Sequence, residues 1–190
     1  MEQFPEVPQP RQRLPLPSKP NCILTGLPGS GKTTIGRAAA KLLGWPFFDF
    51  DTEIEHREHA SVQKIFQTKG EAYFRSLEQD LSREIAFSGG TMISVGGGWV
   101  TNTDSVALLR QTGRIIYLRA TPDRLIARLA TARVPRPLLS VPDPLGTLER
   151  LYRERKHLYE HADYVIDTEV VDRKELIEMV RQYAASLSSS

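Results

Sequence analysis

Gly26-Leu27-Pro28-Gly29-Ser30-Gly31-Lys32-Thr33 is the stretch that decides the fold, because it fits the pattern G-x-x-x-x-G-K-[ST] at every position. The apolar run Cys22–Thr25 precedes it and predicts a strand, and a helical pattern over Lys32–Leu43 follows it. Glycines between a strand and a helix let backbone amides point at phosphate oxygens, and the helix N-terminus adds partial positive charge. The predicted phosphate contacts are Gly29, Ser30, Gly31, Lys32, Thr33 and Thr34.

The charged and hydroxyl side chains of this motif identify the ligands. The lysine, Lys32, is expected to bridge the β- and γ-phosphates, and the hydroxyl of Thr33 to ligate Mg²⁺. ATP and Mg²⁺ are therefore the expected cofactors. The motif does not indicate which molecule receives the phosphate.

Short apolar runs alternate with helical patterns over the rest of the chain. Such alternation is typical of a parallel sheet covered by helices on both faces. We therefore predict an α/β fold, a three-layer α/β/α sandwich with a five-stranded parallel sheet. The predicted strands are 21–25, 46–50, 91–95, 114–119 and 164–167, and the predicted helices are 32–43, 51–57, 61–67, 71–87, 103–111, 121–131, 146–161 and 172–185.

Length and composition fit one domain with a hydrophobic core, since 40% of the 190 residues are hydrophobic. We assign this domain to residues 21–187, and the proline-rich residues 1–20 to a mobile tail outside it. The single cysteine, Cys22, allows no internal disulfide and is expected to be buried. No apolar run approaches the roughly 18 residues of a membrane span and no signal pattern opens the chain, so we expect a cytoplasmic protein.

Charge is small overall but uneven. The formal net charge of +2 argues against nucleic-acid binding. Residues 124–156, however, contain eight basic and three acidic side chains. This stretch suits a polyanionic substrate, although solvated helix faces would give the same pattern.

Two aspartates lie where the second predicted strand ends. Asp49 and Asp51 are two residues apart, so in a strand they would point to the same side, at the sheet edge that faces the phosphates. One carboxylate could hold Mg²⁺ through water and the other could take a proton from the acceptor's hydroxyl. The alternative is that Asp51 only caps the next helix, a role open also to Thr52.

Three further features suit the binding of an acceptor and of the phosphates. Arg75 and Glu78 are three apart on one helix face, either as a surface ion pair or as an arginine held ready for a carboxylate. Gly96-Gly97-Gly98 follows a predicted buried strand, where a backbone would come close to a ligand. Arg136, in a proline-rich loop, could swing over the phosphates.

Taken in order, these motifs resemble the shikimate kinase family. The chain has the phosphate loop, D-x-D at Asp49–Asp51, F-R-x-x-E at Phe74–Glu78, the glycine triplet, R-P-L-L at Arg136–Leu139 and then E-R-x-x-L-Y at Glu154–Tyr159. The phosphate loop is generic, whereas the last three motifs together are more specific. The resemblance covers about residues 21–185.

The resemblance implies a monomeric kinase of the nucleoside-monophosphate-kinase type that phosphorylates shikimate in aromatic amino-acid biosynthesis. Residues 51–90 would form a substrate-binding region, and residues 132–146 a lid. Asp49 would hold Mg²⁺ with Thr33. Asp51, Arg75, Gly97 and Arg155 would bind shikimate, with Glu78 orienting the arginines; Arg128 and Arg136 would contact the nucleotide, and the catalytic set would be Lys32, Asp51 and Arg136.

One departure from the family pattern leaves alternatives open. Trp99 stands after the triplet, where a small residue is usual, so it either reshapes the acceptor pocket or belongs to the core. A gluconate-like kinase is one rival function, which Trp99 favours and the set of Arg75, Gly97 and Arg155 opposes. The other rival is a non-catalytic nucleotide-binding relative, which intact Lys32 and Asp51 oppose.

Overall fold

The structure, a computed structural model, describes residues 17–130 and 141–187. Five strands form one sheet in the order β2-β3-β1-β4-β5, and every neighbouring pair is parallel. The predicted fold is thereby confirmed. The strands are β1 Asn21–Thr25, β2 Phe47–Asp49, β3 Met92–Ser94, β4 Gly113–Arg119 and β5 Tyr164–Asp167.

Helices cover both faces of the sheet. They are α1 Lys32–Leu43, α2 Phe50–Glu58, α3 Val62–Ile85, α4 Thr103–Thr112, α5 Pro122–Ala130, α6 Pro144–Tyr159 and α7 Arg173–Leu187, with a short 3₁₀ turn at Trp99–Thr101.

Alternate residues of the central strands pack into two separate cores. Ile23 of β1 joins the core that contains Leu81 of α3 and Leu148 of α6, whereas Leu24 joins the core that contains Ile35 of α1 and Val180 of α7. The strands are buried on both faces, which explains why they read as continuous apolar runs. None of the helices in the two described ranges combines the length and the apolar character of a bilayer crossing.

Several predicted boundaries shift for local reasons. The helices predicted at 61–67 and 71–87 form the single element α3, which is interrupted by Gly70 with non-helical φ 82° and ψ 170°. Helix α6 begins two residues before the predicted 146, because Asp143 caps it and accepts from the amide of Gly146 at 2.9 Å.

Packing against the domain begins before residue 21, where the domain was predicted to start. Residues 1–16 of the predicted tail lie outside the described residues. Pro20, however, is buried, and the carbonyl of Lys19 accepts a hydrogen bond from Gly90 at 2.8 Å. The last residues assigned to the tail therefore pack against the turn before β3.

Cys22 is fully buried, as predicted. Burial raises the pKa of its thiol well above its usual range, and the nearby charge of Asp163 raises it further. The thiol is therefore protonated and unreactive at neutral pH.

Asn21 joins the start of the sheet to the end of α3. Its side-chain amide donates to the carbonyl of Ala86 at 3.0 Å, and its side-chain oxygen accepts from the amide of Thr91 at 3.1 Å. Both backbone groups lie in the interior, where an unpaired polar group is costly.

We expect Asn21→Ala to lower the free energy of unfolding by about 1–3 kcal/mol, because it leaves these two backbone groups without partners. Urea unfolding measures the difference. Ser105→Ala is the matched control, since the Ser105 hydroxyl is buried and has no hydrogen-bond partner among the described residues. Equal effects of the two substitutions would contradict this account of Asn21.

Candidate active site

The phosphate loop curls as its glycines predict. Gly29 and Gly31 have φ of +86° and +97°, values that L side chains rarely adopt, and Gly31 is the residue before α1. The Lys32 ammonium donates to the carbonyls of Gly26 at 2.9 Å and Leu27 at 3.1 Å. The lysine is thus folded back onto its own loop.

The hydroxyl residues of the loop differ in exposure. Ser30 is buried, and its hydroxyl has no partner among the described residues. Thr33 and Thr34, in the first turn of α1, are exposed and accessible to a ligand. These are the positions at which backbone amides are free at a helix N-terminus.

Asp49 connects this loop to α2. One carboxylate oxygen accepts from the Thr33 hydroxyl at 2.7 Å, and the other accepts from the amide and hydroxyl of Thr52, each at 3.0 Å. Asp49 is therefore the N-cap of α2, and the alternative that Asp51 or Thr52 caps this helix is wrong. Because β2 ends at Asp49, Asp51 belongs to the first helical turn rather than to the strand.

The oxygens of Thr33 and Asp49 are suited to Mg²⁺. A hydroxyl and a carboxylate are hard oxygen ligands, and they already meet at 2.7 Å. No group of three or more His, Cys, Asp or Glu side chains within residues 17–130 and 141–187 could enclose a metal. This fits Mg²⁺, which binds through one or two protein ligands and otherwise keeps water and phosphate oxygens.

Asp51 lies beside the glycine triplet, since a Cβ on Gly96 would be 3.3 Å from one of its carboxylate oxygens. The residue as a whole is exposed, although protein atoms crowd its carboxylate and partly remove it from water. Desolvation raises the pKa of Asp51 to about 6; the charge of Asp49 adds to this effect, and that of Lys32 opposes it. A carboxylate with a pKa near neutrality is suited to proton transfer.

Glu78 is a buried carboxylate, with 1% of its surface exposed. Arg75 donates to it at 2.5 Å and to Glu71, one turn earlier, at 2.8 Å. The pair is therefore not the surface ion pair that was the alternative. Burial raises the pKa of Glu78 to about 7, while the charges of Arg75 and Arg155 lower it.

Each glycine of the triplet touches a different part of the site. A Cβ on Gly96 would lie 2.3 Å from a carboxylate oxygen of Glu78 and 3.3 Å from one of Asp51. A Cβ on Gly97 would lie 3.0 Å from Pro28 of the phosphate loop, and one on Gly98 would lie 2.0 Å from the Arg75 guanidinium. The triplet is thus the point where the predicted phosphate and acceptor residues meet.

Arg155 approaches the same point from α6. Its charge lowers the pKa values of both Glu78 and Tyr159, so its guanidinium lies near both groups. The Nε atom of Arg155 is buried and has no hydrogen-bond partner among the described residues. Arg75, Arg155 and Glu78 therefore cluster at the glycine triplet, beside Asp51.

Comparison with known proteins identifies the family of this chain. The family model for shikimate kinase matches residues 28–185. The chain belongs to the shikimate kinase family.

Relatives of this family match most of the chain. The shikimate kinase of Cupriavidus pinatubonensis (strain JMP 134 / LMG 1197) is 41% identical over 85% of this chain and 84% of its own length. The shikimate kinase of Burkholderia pseudomallei (strain 1710b) is 42% identical over 84% of this chain and 87% of its own. The prediction of an ATP-dependent kinase is confirmed by this membership.

Solved structures of shikimate kinases agree with this family membership. The shikimate kinase from Acinetobacter baumannii in complex with shikimate superposes with a TM-score of 0.80 and 34% identity, covering 90% of this chain and 98% of that one. A gluconokinase from Sinorhizobium meliloti 1021 superposes with a TM-score of 0.60 at 15% identity, which shows a shared fold alone.

Of the two arginines that the shikimate kinase pattern assigns to the nucleotide, the structure describes only Arg128. Arg128 of α5 donates to the hydroxyl of Thr168 at 2.8 Å and to its carbonyl at 2.6 Å, which places it at the loop after β5. Arg136 and most of the predicted lid lie outside the described residues.

Trp99 belongs to the core. It is 0% exposed, and its indole donates to the hydroxyl of Ser82 on α3 at 3.0 Å. The core alternative is confirmed, because the indole of this shikimate kinase family member is buried and hydrogen-bonded inside the protein. Its size is accommodated by a small partner, Ser82, seventeen residues earlier in the chain.

Tyr159 is the site residue that sequence reasoning missed. It ends the E-R-x-x-L-Y motif, is fully buried and donates its hydroxyl hydrogen to the carbonyl of Gly97. Its place four residues after Arg155 was the available signal, because residues four apart lie on the same helix face.

Gly98→Ala is expected to displace Arg75 and leave the fold intact, because the new methyl group would overlap only the end of a flexible side chain. Binding of the acidic acceptor should weaken about tenfold or more, as for a lost charge-assisted hydrogen bond. Isothermal titration with shikimate measures this loss, and thermal unfolding controls for folding. The double variant Gly98→Ala/Arg75→Ala should be no weaker than Arg75→Ala; additive losses would contradict the mechanism.

Proposed function

We propose that this chain transfers the γ-phosphate of ATP to the 3-hydroxyl of shikimate. The observation that carries the proposal is the cluster of Arg75, Glu78 and Arg155 beside Asp51, in contact with the phosphate loop through the glycine triplet. The A. baumannii relative, whose structure contains shikimate, has the same fold at 34% identity.

The two arginines favour an acceptor that is itself an acid. Glu78 and Glu71 both accept from Arg75, so the Arg155 guanidinium, whose charge lies beside Glu78, supplies the remaining donors for a ligand carboxylate. The buried, unpartnered Nε of Arg155 provides a donor that is costly to leave unused. Guanidinium groups bind carboxylates in a planar, two-point fashion, which also orients the acceptor.

Asp51 is the proposed base. It lies beside the triplet, so an acceptor held by the arginines and the Gly97 backbone would place a ring hydroxyl near its carboxylate. The pKa of Asp51, raised to about 6, leaves it ionised at neutral pH and still able to accept a proton. Whether it removes the proton or orients the hydroxyl, its charged form is the active one.

The nucleotide half rests on the phosphate loop. Lys32 would exchange the carbonyls of Gly26 and Leu27 for phosphate oxygens, while Thr33 and Thr34 present their amides from the first turn of α1. Thr33 and Asp49 would hold Mg²⁺, which offsets phosphate charge during transfer. Arg128 is proposed for the adenine and Arg136 for the transferring phosphate, both on the family resemblance.

The rival functions lose support. The gluconate-like alternative drew on Trp99, whose side chain is in the core. A non-catalytic relative would be expected to lack one of Lys32, Thr33, Asp49 or Asp51, and all four are present. A monomer that acts in the cytoplasm is part of our proposal, on the family resemblance.

A coupled ADP-release assay with ATP, Mg²⁺ and shikimate, quinate or gluconate tests the proposal. Turnover on shikimate and little on the others is the expected result. Turnover on gluconate would favour the rival kinase. ATP binding with no ADP release on any acid would favour the non-catalytic relative.

Arg155→Ala should raise the KM for shikimate by about 10²-fold or more and leave ATP binding intact, because a buried charged partner of the carboxylate is lost. Steady-state kinetics, with the concentration of each substrate varied in turn, measures the KM for shikimate and the KM for ATP separately. Arg150→Ala, which removes an exposed arginine from the same helix, is the matched control. Loss of ATP binding in Arg155→Ala would show that this side of the site is assigned wrongly.

Asp51→Asn should lower kcat by about 10²-fold, the range for loss of a general base. For the wild type, kcat/KM should fall as the pH drops below about 6, since protonation removes the base and the raised pKa of Asp51 sets the midpoint. A pH–rate profile measures both effects. A wild-type rate in Asp51→Asn, or an acid limb near pH 4, would remove Asp51 from the mechanism.

A further inference from the structure

Tyr159 holds a central place between three elements of the site. It is the last residue of α6, four residues after Arg155, and it is 0% exposed. Its ring stacks on Tyr117 of β4 with centroids 5.0 Å apart and an interplanar angle of 16°. The stack fixes the end of α6 against the sheet.

Its hydroxyl completes a pattern in the glycine triplet. The carbonyl of Gly96 accepts from the Trp99 amide at 3.1 Å, and that of Gly98 accepts from the Thr101 amide at 3.0 Å. The carbonyl of Gly97 accepts from Tyr159 instead. All three carbonyls of the triplet are therefore occupied within the protein.

Two backbone amides of the triplet, unlike its carbonyls, are not hydrogen-bonded within the described residues. Within residues 17–130 and 141–187, the amides of Gly97 and Gly98 have no hydrogen-bond acceptor. A peptide unit is planar, with its carbonyl and amide on opposite sides. Holding the Gly97 carbonyl toward Tyr159 therefore points the Gly98 amide away from α6.

Tyr159 also acts on Arg155. Burial raises the pKa of Tyr159 to about 12, and the Arg155 charge opposes that rise. The hydroxyl therefore stays protonated and donates to the triplet at neutral pH. Its oxygen carries partial negative charge beside the guanidinium, which favours the placement of Arg155 over this end of α6.

We infer that Tyr159 is a positioning residue for the acceptor: it sets the direction of the Gly98 amide and the place of Arg155 together. The acceptor would then meet a backbone donor and a guanidinium whose spacing is fixed by one buried side chain. This inference rests on the proposed function, because it concerns the same acceptor site.

The test compares Tyr159→Phe with Tyr117→Phe. Both remove one hydroxyl from a buried, stacked ring, but the Tyr117 hydroxyl has no hydrogen-bond partner among the described residues. Tyr159→Phe should raise the KM for shikimate about tenfold, the effect of one lost hydrogen bond to a positioned group. The KM for ATP should change less than about twofold and kcat at saturating shikimate less than about threefold, since neither depends on this hydrogen bond.

Two further measurements separate positioning from folding. The amide chemical shifts of Gly97 and Gly98 in ¹⁵N-labelled protein should move in Tyr159→Phe and not in Tyr117→Phe. Thermal unfolding midpoints of the two variants should agree within a few degrees. A Tyr159→Phe enzyme with the wild-type KM for shikimate, or with equal rises in KM for both substrates, would overturn the inference.

The wild-type assay in parallel distinguishes the two proposals. If the wild type does not turn over shikimate, the proposed function fails, and the inference about its acceptor fails with it. If the wild type turns over shikimate and Tyr159→Phe binds it unchanged, only the inference fails.

Discussion

The burial of the Glu78 carboxylate constrains the whole acceptor side of the site. An ionised carboxylate in a protein interior is costly unless cations and hydrogen-bond donors surround it. Arg75 supplies a contact at 2.5 Å from the preceding turn of α3, and Arg155 supplies charge from α6. The second oxygen of Glu78 has no partner among the described residues, so the carboxylate is only partly satisfied by the protein. The two arginines are thus held close to one buried carboxylate.

The order of the strands in the sheet determines which segments lie next to the glycine triplet. Strand β3 lies between β2 and β1, so the glycine triplet that follows β3 lies between the segment after β2 and the phosphate loop after β1. In parallel sheets these carboxyl ends form one edge, which is where ligands bind. Topology therefore brings Asp51, the triplet and Pro28 together, although they are far apart in sequence. The arginines then complete the site from helices that cover the same face.

Local patterns made the fold and half of the site predictable, and tertiary contacts hid the rest. The strand–loop–helix unit around Lys32 depends on residues adjacent in sequence, and its prediction matched the structure. The alternative that Asp51 or Thr52 caps α2 goes with a predicted strand that extends to residue 50. The strand ends at Asp49 instead, and Asp49 is the cap. The contacts of Trp99 and Tyr159 could not be predicted from sequence, because their partners, Ser82 and Gly97, lie 17 and 62 residues away.

Acceptor choice in this fold depends on a few side chains rather than on the architecture. The gluconokinase from S. meliloti 1021 shares the fold at 15% identity, so the architecture alone does not specify the acceptor. In this chain, each glycine of the triplet leaves room for a different group: a carboxylate, the phosphate loop and a guanidinium. Any side chain in the triplet would displace one of the three. In the proposed function, the Gly98 amide and the two arginines would bind the acceptor together, and donors fixed in this way suit a rigid acid better than a flexible one.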